Sequence, residues 1–473
     1  MSLSDIRKFR SVLLDIRAFV WPYSGISSGG VSMESAIRIR LEVDAEQDRI
    51  LEGQSAIMNW TYNRLLEKAN GLREKYRQAP SREIASVLYT QYGLRDLLPG
   101  MKKEYPFMMA VHSSPLKNAA LRLSRSVQDY QDSRKGRRKG KKTGWPRFRS
   151  RRKKFFSLLY EEPRKGFKVE GKVLILSLGQ DREGKRFGVS LKMEKGLASF
   201  GNPDVLNLRV KKQGKTYYAV FNVKKPLPER RNIGKVISLD PNHKNLAYGY
   251  DSEGKATEFH NPWFLKILQK RIDQVKSRRD KCRKKSVKVE RKDGSSFFKP
   301  SRRWSRFNDI LQGLYDKRRE QTNSFLYTIA NRLCKEYDLI AIGDYTPRGG
   351  GISKGMRRAM NNESLIGRFK HCVSWVCARS GKSYMKWDEK GSTRTCSYCG
   401  TRVEGGLSPE IREWTCGNRK CGRSHIRDEN AARNGLIRTL KKMEFPCSGR
   451  LSVPCEVTER RALRYDGLGL RSV

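Results

Sequence analysis

The sequence lacks any long apolar run. No stretch approaches the roughly 20 consecutive apolar residues that a transmembrane helix needs. The moderately apolar stretch 11–23 is interrupted by Asp15 and Arg17, which argues against a signal peptide. We therefore expect no membrane partner and a cytoplasmic chain.

Acidic residues are scarce relative to basic ones. The chain has 49 Asp and Glu against 100 Lys and Arg, which gives a formal net charge of +51. A charge of this size predicts a polyanionic partner. Nucleic acid is the first candidate, because phosphate neutralisation with release of counterions drives such binding. An anionic membrane surface is the alternative, but the sequence has no sustained amphipathic basic helix to support it.

Of the ten cysteines, four form a metal-ligand pattern. Cys396, Cys399, Cys416 and Cys421 follow the spacing C-x2-C-x16-C-x4-C. Closely spaced pairs of thiolates suit tetrahedral Zn2+, and four ligands leave no open position, so the pattern predicts one structural zinc ion. The alternative is four unrelated buried cysteines. Thiols used as ligands also suit a reducing compartment.

The amino-terminal half combines strand and helix patterns. Ile37, Ile39 and Leu41 alternate with charged residues, as in a half-buried strand, and residues 45–132 have a helical pattern. Further strand patterns follow at 155–160, 167–178, 187–191 and 206–223. A strand before a helical block and several strands after it predict a β-barrel into which a helical domain is inserted.

A dense basic segment spans residues 134–154. It has thirteen basic residues in twenty-one and no acidic one, and aromatic residues interrupt it. A solvated charge run is the alternative. Rings among arginines favour nucleic-acid contacts, because rings stack on bases while guanidinium groups bind phosphates. The expected contact residues are Arg134, Lys135, Arg137, Arg138, Trp145, Arg147, Phe148, Arg149, Arg151 and Arg152.

Two apolar strands in the second half end in an aspartate. Residues 236–239 precede Asp240, residues 339–343 precede Asp344, and Asp428 lies at the start of a predicted helix. Three converging carboxylates would repel one another unless they held divalent cations such as Mg2+. Two ions about 4 Å apart can activate a water and stabilise the leaving oxygen in phosphodiester hydrolysis. For any one of these aspartates alone, a turn or cap role is the alternative.

These motifs, in this order, resemble a known family: the TnpB-type transposon-encoded RNA-guided nucleases and the compact type V CRISPR effectors. The resemblance covers about residues 35–445, and the segment 143–150 is also similar to a TnpB segment. The motifs that carry it are Ser238-Leu239-Asp240-Pro241, Ile342-Gly343-Asp344, the four cysteines, and Arg427-Asp428-x-Asn430-Ala431-Ala432-x-Asn434.

The resemblance implies a multidomain α+β protein. A wedge β-barrel with an inserted helical recognition domain would be followed by an RNase H-like (RuvC) α/β nuclease domain with an inserted four-cysteine zinc knuckle. The implied segments are an extension (1–33), the wedge barrel (34–44 and 133–230), the recognition domain (45–132), the nuclease domain (231–395 and 423–445), the zinc-bearing target-nucleic-acid-binding element (396–422) and a tail (446–473).

The resemblance also implies an activity: an RNA-guided, Mg2+-dependent endonuclease that cuts double-stranded DNA. Base pairing with a guide RNA would read the target, and the protein would read a short flanking DNA motif. Asp240, Asp344 and Asp428 would hold two Mg2+ ions, and Arg427 would bind a phosphate. A monomer is expected rather than a homodimer.

The sequence departs from the family pattern at two positions. The family usually has Glu at the second acidic position, where this chain has Asp344, and Ile426 replaces the first Asp of a His-Asp-Arg-Asp motif. Two alternatives therefore remain open: an RNA-guided DNA-binding protein that represses without cutting, and a guide-independent basic zinc protein that assists a transposon.

Overall fold

The computed structural model describes residues 32–138, 142–150, 155–181, 183–214, 216–226, 234–290, 296–345, 364–408, 410–443, 453–454 and 456–472. The chain is a mixed α+β protein with two compact units, one within residues 25–226 and the other mainly from residue 227 onward. Within the described ranges, no helix is long and apolar enough to cross a membrane.

The first unit is built on a seven-stranded antiparallel sheet in the order β2-β6-β7-β1-β5-β4-β3. Its strands are β1 (Ser32–Glu42), β2 (Ser157–Tyr160), β3 (Phe167–Glu170), β4 (Val173–Gln180), β5 (Arg186–Met193), β6 (Asp204–Gln213) and β7 (Thr216–Pro226). Ile37, Ile39 and Leu41 are buried along β1 while the residues between them are exposed, so one face of this strand carries the core. No ladder joins β2 to β3 among the described strands, and closure into a barrel stays a prediction.

Helices fill the chain between β1 and β2: α1 (Ala45–Gln78), α2 (Arg82–Tyr89), α3 (Leu98–Glu104) and α4 (Ser113–Arg134). A capping box starts α1, because the Asp44 carboxylate accepts from the Gln47 backbone at 2.8 Å and the Gln47 side chain accepts from the Asp44 backbone at 3.0 Å. Leu51, Met58 and Leu65 are buried at helical spacing, so α1 packs one face into the core.

The second unit contains a seven-stranded mixed sheet in the order β14-β13-β8-β9-β10-β17-β18. Three neighbouring strands, β14, β13 and β8, are parallel, so their carboxyl ends meet at one edge. The strands are β8 (Val236–Pro241), β9 (Ala247–Asp251), β10 (Lys255–Phe259), β13 (Leu339–Gly343), β14 (Ser383–Trp387), β17 (Glu459–Tyr465) and β18 (Leu470–Ser472).

Helices cover both faces of this sheet. On one face lie α5 (Phe264–Lys281), α6 (Arg302–Glu336) and α7 (Ile366–Arg379), and on the other lies α8 (Arg427–Lys442). Strand alternation divides β8 between the two faces: Ile237 and Leu239 pack with α5 to α7, and Val236 packs with α8. Two hairpins complete the unit: β11 (Val287–Glu290) with β12 (Ser296–Lys299), and β15 (Glu413–Thr415) with β16 (Ser424–Ile426).

The carboxyl-terminal segment differs from the tail expected at 446–473. Within it, β17 pairs in parallel with β10, and β18 adds a further antiparallel strand. Leu463 and Tyr465 are buried in the core against α5 and α6, so their alternation along β17 explains why this segment joins the sheet. Residues 444–452 lie outside the described ranges.

Gly435 sets how closely α8 approaches the sheet. A Cβ at this position would overlap with the Ser238 hydroxyl and the Trp387 ring. We expect Gly435→Ala to lower the free energy of unfolding by about 1–3 kcal/mol through overpacking. Gly313→Ala is the matched control, because Gly313 is an exposed helical glycine with open space around it. That control should gain up to about 1 kcal/mol from helix propensity. Equal effects of the two substitutions in urea denaturation would contradict this account of the packing.

Candidate functional site

The carboxyl ends of the three parallel strands place acidic residues at one edge of the second sheet. Asp240 lies at the end of β8, Asp344 directly follows β13, and Asp388 and Glu389 directly follow β14. The hydrogen-bond registers of β8 with β13 and of β13 with β14 keep the three strand ends level. The edge therefore gathers two predicted site residues and two acidic residues that the sequence analysis did not single out.

Glu389 lies where a side chain at position 343 would lie. Leu339 and Ala341 pack on the α8 face of the sheet, so by strand alternation position 343 faces α8 as well. A Cβ at Gly343 would overlap with the Glu389 carboxyl group. Gly343 thus leaves room for a carboxylate that comes from the next strand, on the face to which Asp240 also belongs.

Asp344 is placed differently from Asp240. Its backbone N–H donates to the Trp387 carbonyl at 2.9 Å and so extends the β13–β14 ladder by one residue. By the same alternation, position 344 falls on the opposite face from position 343. The Asp344 Oδ1 accepts from the Glu389 backbone N–H at 3.1 Å. Asp344 therefore helps to fix the backbone that carries Glu389.

Asp428 comes to the same edge from the first turn of α8. Its Oδ2 accepts from Arg412 Nη1 at 3.2 Å and from Asn242 Nδ2 at 3.5 Å. Asn242 lies two residues after Asp240, so this bond ties the start of α8 to the end of β8. The structure thus brings Asp428 beside the end of the strand that carries Asp240.

The carboxylate of Asp240 is buried beside other acids. Burial first, then the charges of Glu389 and Asp428, raise the pKa of Asp240 well above its usual range, while Arg427 and Lys370 act in the opposite direction. This shift means that the Asp240 carboxylate is repelled by those of Glu389 and Asp428 when all three are ionised.

Glu389 shows the same effect. Burial raises the pKa of Glu389 to about 7, and the charges of Asp344 and Asp388 add to the rise, while the Lys370 ammonium opposes it. The Tyr345 backbone N–H also donates to this carboxylate and opposes the rise. The Glu389 Oε1 is buried and accepts no hydrogen bond from the described residues. A buried carboxylate oxygen that accepts no hydrogen bond has no polar partner, and a bound cation could be that partner.

The acidic edge fits a divalent cation by its chemistry. Hard oxygen ligands suit Mg2+, which keeps several waters and so needs few protein ligands. The carboxylates are not close enough for direct coordination of one ion by three of them: among the described residues, the four cysteines are the only set of three or more candidate ligands with donor atoms all within 4.8 Å. The separation between these carboxylates leaves room for water and phosphate oxygens around a bound cation.

The signal for Glu389 was present in the sequence. Residues 383–387 form a short strand followed by Asp388 and Glu389, the same arrangement that identified Asp240 and Asp344. What the sequence could not give is the strand order, which places β14 beside β13 and so brings Glu389 over Gly343.

The four cysteines converge at one point. The Sγ atoms of Cys396 and Cys421 lie 3.8 Å apart, and those of Cys399 and Cys416 lie 3.5 Å apart. Four sulfurs at tetrahedral positions about 2.3 Å from a zinc ion would be separated by about 3.8 Å. The geometry of this cluster therefore fits the predicted zinc site.

The four-cysteine module, which is the described part of residues 396–422, is anchored to α8 by two asparagines one turn apart. The side-chain amides of Asn430 and Asn434 both donate to the carbonyls of Ser392 and Thr395, at 2.7–3.2 Å. The Asn430 Oδ1 also accepts from the Ser397 backbone at 3.0 Å. These bonds explain the spacing of the two asparagines after Asp428 and join the module to the helix that carries that carboxylate.

Other side chains at this junction are also engaged. The Arg433 guanidinium lies 3.6 Å from the centre of the Tyr398 ring and donates to the Pro454 carbonyl at 2.8 Å. Arg427, the predicted phosphate ligand, donates to the Ser408 carbonyl at 3.1 Å. Its charge still acts on Asp240, so the phosphate-binding role stays a prediction.

The basic segment divides into residues that pack internally and residues that are exposed. Trp145 donates to the Asn70 side chain at 2.8 Å, and the Arg149 guanidinium lies 3.7 Å from the centre of the Tyr62 ring. Phe148 is 58% exposed. The other exposed members of the predicted contact set are Arg134, Lys135, Arg137, Arg138 and Arg147, and Arg151 and Arg152 lie outside the described residues. Of the two aromatic side chains in the set, Phe148 is thus the more available for stacking on a base.

We expect the purified chain to contain one zinc ion, held by the four thiolates. Replacing Cys396 and Cys399 with Ser should remove it and lower the melting temperature of the second unit, because the module no longer supports α8. Cys282→Ala is the control, since Cys282 is buried outside the cluster. Elemental analysis that finds zinc in the double variant, or none in the wild type, would contradict the assignment.

The raised pKa of Glu389 predicts a pH dependence of stability in the metal-free protein. The folded state binds this proton more tightly than the unfolded state, so the stabilising contribution is fully present below about pH 4.5 and is lost as the pH rises through about 7. Between pH 5 and pH 8, the wild type should lose up to about 3 kcal/mol more unfolding free energy than Glu389→Gln.

Urea denaturation in EDTA would measure this difference. Asp388→Asn serves as the control: it removes the exposed neighbouring carboxylate, whose charge is the smallest of the named causes of the raised pKa of Glu389, so it should keep most of the pH dependence. If the wild type and Glu389→Gln show equal pH dependence, Glu389 is not under the strain described above.

Similarity to a solved structure extends over most of the chain. A complex of Cas12f1 with sgRNA and target DNA matches 85% of this chain and 98% of that chain, with 11% sequence identity and a TM-score of 0.47.

Two curated relatives match parts of the sequence. Both bear the name "Putative RNA-guided DNA endonuclease". The protein of Streptomyces pristinaespiralis is 34% identical over 113 residues, which are 24% of this chain and 27% of that protein. The protein of Mycobacterium tuberculosis is 24% identical over 317 residues, which are 65% of this chain and 64% of that protein. The chain thus matches less than two thirds of the length of either relative.

The four-cysteine module and its surroundings match a described family. Residues 367–435, which include the four cysteines and Asp428, match the family described as Cas12f1-like, TNB domain. This match and the two relatives confirm the resemblance seen in the sequence: the chain is similar to the TnpB-type nucleases and the compact type V CRISPR effectors.

Proposed function

We propose that the chain is an RNA-guided endonuclease that hydrolyses DNA phosphodiester bonds at the acidic edge of the second sheet. The observation that carries the proposal is the gathering of Asp240, Glu389 and Asp428 at that edge, with the pKa values of Asp240 and Glu389 raised by burial and by neighbouring charge. Buried acids with raised pKa values are typical of functional sites.

The strand order supports a RuvC-like nuclease domain of RNase H type. Three consecutive antiparallel strands, β8 to β10, are followed by two parallel strands, β13 and β14, that extend the sheet beside β8. The proposed domain comprises residues 231–395 and 423–445, as the resemblance implies, and β17 adds a strand to it.

Two Mg2+ ions held at this edge would activate a water and stabilise the leaving oxygen. The chain's own contribution is to hold the carboxylates in place and exclude competing contacts. Asp240 is fixed by the β-sheet, Asp428 by the helix and its bonds to Arg412 and Asn242, and Glu389 by the room that Gly343 leaves.

Glu389, rather than Asp344, is proposed as the second acidic residue. Position 343 faces Asp240 and α8, and Glu389 occupies that space, whereas position 344 falls on the other face. Asp344 then acts as a positioning residue through its bond to the Glu389 backbone. This arrangement would restore the Glu that the family usually has, so the short side chain of Asp344 need not weaken cleavage.

The first unit is proposed to bind the guide RNA and its duplex with the target strand. Residues 34–44 and 133–230 would form the wedge domain and residues 45–132 the recognition domain. The net charge of +51 supports a nucleic-acid partner. Double-stranded DNA is the proposed target, and a monomer the proposed active form.

The alternative is guided DNA binding without cleavage. It would apply if the acidic edge did not support hydrolysis. The two proposals share their RNA and DNA partners and differ only in whether a bound duplex is cut.

The test begins with the chain purified together with its co-expressed RNA. That RNA is sequenced, and a matching duplex is incubated with Mg2+. Asp240→Asn, Asp428→Asn and Glu389→Gln should each lower the cleavage rate at least about 100-fold while binding of the duplex is retained, because the carboxylates act on the reacting phosphate. Asp388→Asn, the exposed neighbour, should cut at the wild-type rate. Guided binding without cleavage by the wild type would favour the alternative, and absence of a specific RNA would overturn both proposals.

A pair of double variants separates Glu389 from Asp344. A carboxylate placed on position 343 would project from β13 directly into the site, so Gly343→Glu with Glu389→Ala should recover cleavage that Glu389→Ala alone has lost. Asp344→Glu with Glu389→Ala should not recover it. Full activity of Glu389→Gln together with loss of activity in Asp344→Asn would return the second acidic role to Asp344.

A further inference from the structure

Three arginines of the first unit converge on one serine and one aromatic ring. Arg122 from α4 and Arg209 from β6 both donate to the Ser157 Oγ, at 3.1 and 3.0 Å. Arg122 and Arg149 both contact the Phe155 ring, with their guanidinium carbons 4.9 and 4.4 Å from its centre. The three cationic groups are therefore neighbours, although they come from distant parts of the sequence.

Their hydrogen-bond partners are neutral. Besides Ser157, Arg209 donates to the Asn118 Oδ1 at 3.4 Å, and Arg149 donates to the Asn59 Oδ1 at 3.0 Å. In the part of the chain that the structure describes, none of the three arginines forms an ion pair with a carboxylate. Three adjacent cations thus have no carboxylate within ion-pair distance among the described residues.

Burial makes this arrangement unfavourable for the isolated protein. It lowers the pKa of Arg122 to about 10, and the charges of Arg209 and Arg149 contribute to the shift. It also lowers the pKa of Arg149 to about 10 and that of Arg209, for which the Glu161 charge acts in the opposite direction. All three groups stay charged at neutral pH and repel one another.

Two neighbouring lysines of β6, Lys211 and Lys212, differ in whether carboxylates neutralise their charge. Lys212, on the other face of the strand, contacts Asp48 at 2.6 Å and Glu52 at 2.7 Å. Lys211 is on the same face as Arg209, and burial followed by the charges of Arg209 and Arg122 lowers its pKa. One face of β6 is therefore neutralised by carboxylates, while the other concentrates positive charge.

We propose that Arg122, Arg149 and Arg209 form a binding site for a phosphodiester group of a nucleic-acid backbone. Guanidinium groups bind phosphate oxygens with paired donors, and they do so more strongly when they are partly desolvated. All three side chains are only partly buried, so an anion can reach them from solvent. The proposal rests on the proposed function, in that it takes nucleic acid as the partner. It adds the residues that grip one phosphate.

Salt dependence of binding tests the site. The site variant is Arg122→Gln with Arg209→Gln, and the control is Arg49→Gln with Arg77→Gln. The control removes the same net charge from exposed arginines of α1 that are already paired with Glu46 and Glu74. With one backbone phosphate bound, the site variant should bind roughly tenfold more weakly at about 0.15 M salt, and the slope of log K against log salt should fall by about one. The control should leave both unchanged.

Two arms identify the source of the phosphate. Affinity is measured for the co-purified RNA alone and for the matching duplex added to the preformed protein–RNA complex. A change confined to the first arm assigns the site to the guide RNA, and one confined to the second assigns it to the target DNA. Either result supports the site.

A charge-retaining variant and the binding of the wild type distinguish loss of the phosphate site from a folding defect and from failure of the proposed function. Arg122→Lys with Arg209→Lys retains the charge, so it should fold, keep the wild-type slope and lose affinity. If the wild type binds RNA and the site variants have the same affinity and salt slope as the control, this inference is overturned and the proposed function is not. A wild type that binds neither RNA nor DNA would overturn the proposed function with it.

Discussion

Repulsion between buried carboxylates is the constraint on which the second unit depends. A strand end, a loop and a helix start bring together Asp240, Glu389 and Asp428. Burial raises the pKa values of Asp240 and Glu389, and the charges of Glu389 and Asp428 add to the rise at Asp240, so the protein holds these acids together against their repulsion. Such an arrangement requires rigid supports. A seven-stranded sheet with helices on both faces supplies them, and Gly343 and Gly435 set the close approaches that no larger side chain would allow.

The four-cysteine module also helps to hold α8, and with it Asp428, in place. Its cysteines lie between β14 and α8 in the sequence, and the amides of Asn430 and Asn434 fix the carbonyls that precede Cys396. These bonds hold the segment before Cys396 against α8, and α8 carries Asp428. Zinc binding at the four cysteines would therefore also stabilise the geometry of the acidic edge, because binding energy at a structural zinc site is also folding energy.

Part of this site could be predicted from the sequence and part could not. Asp240 ends an apolar strand, and the four cysteines have ligand spacing, so local pattern was sufficient for both. Glu389 was missed because its relation to Gly343 depends on strand order, which no local pattern contains. Trp145 and Arg149, two predicted nucleic-acid contacts, both touch side chains of α1, and composition alone could not show this because it does not say which face of a segment is buried. The segment 446–473 has no motif that predicts its place, and only the pairing of β17 with β10 shows that it joins the second sheet.

The position of β17 has a consequence for how the protein is made. This strand pairs with β10, and Arg460 within it bonds the Glu429 carboxylate at 2.9 Å, next to Asp428. The central strand β8 leaves the ribosome long before β17 is translated. The acidic edge can therefore take its final form only late in synthesis, so a nascent or prematurely terminated chain would carry the positive charge of the first unit without a complete acidic edge.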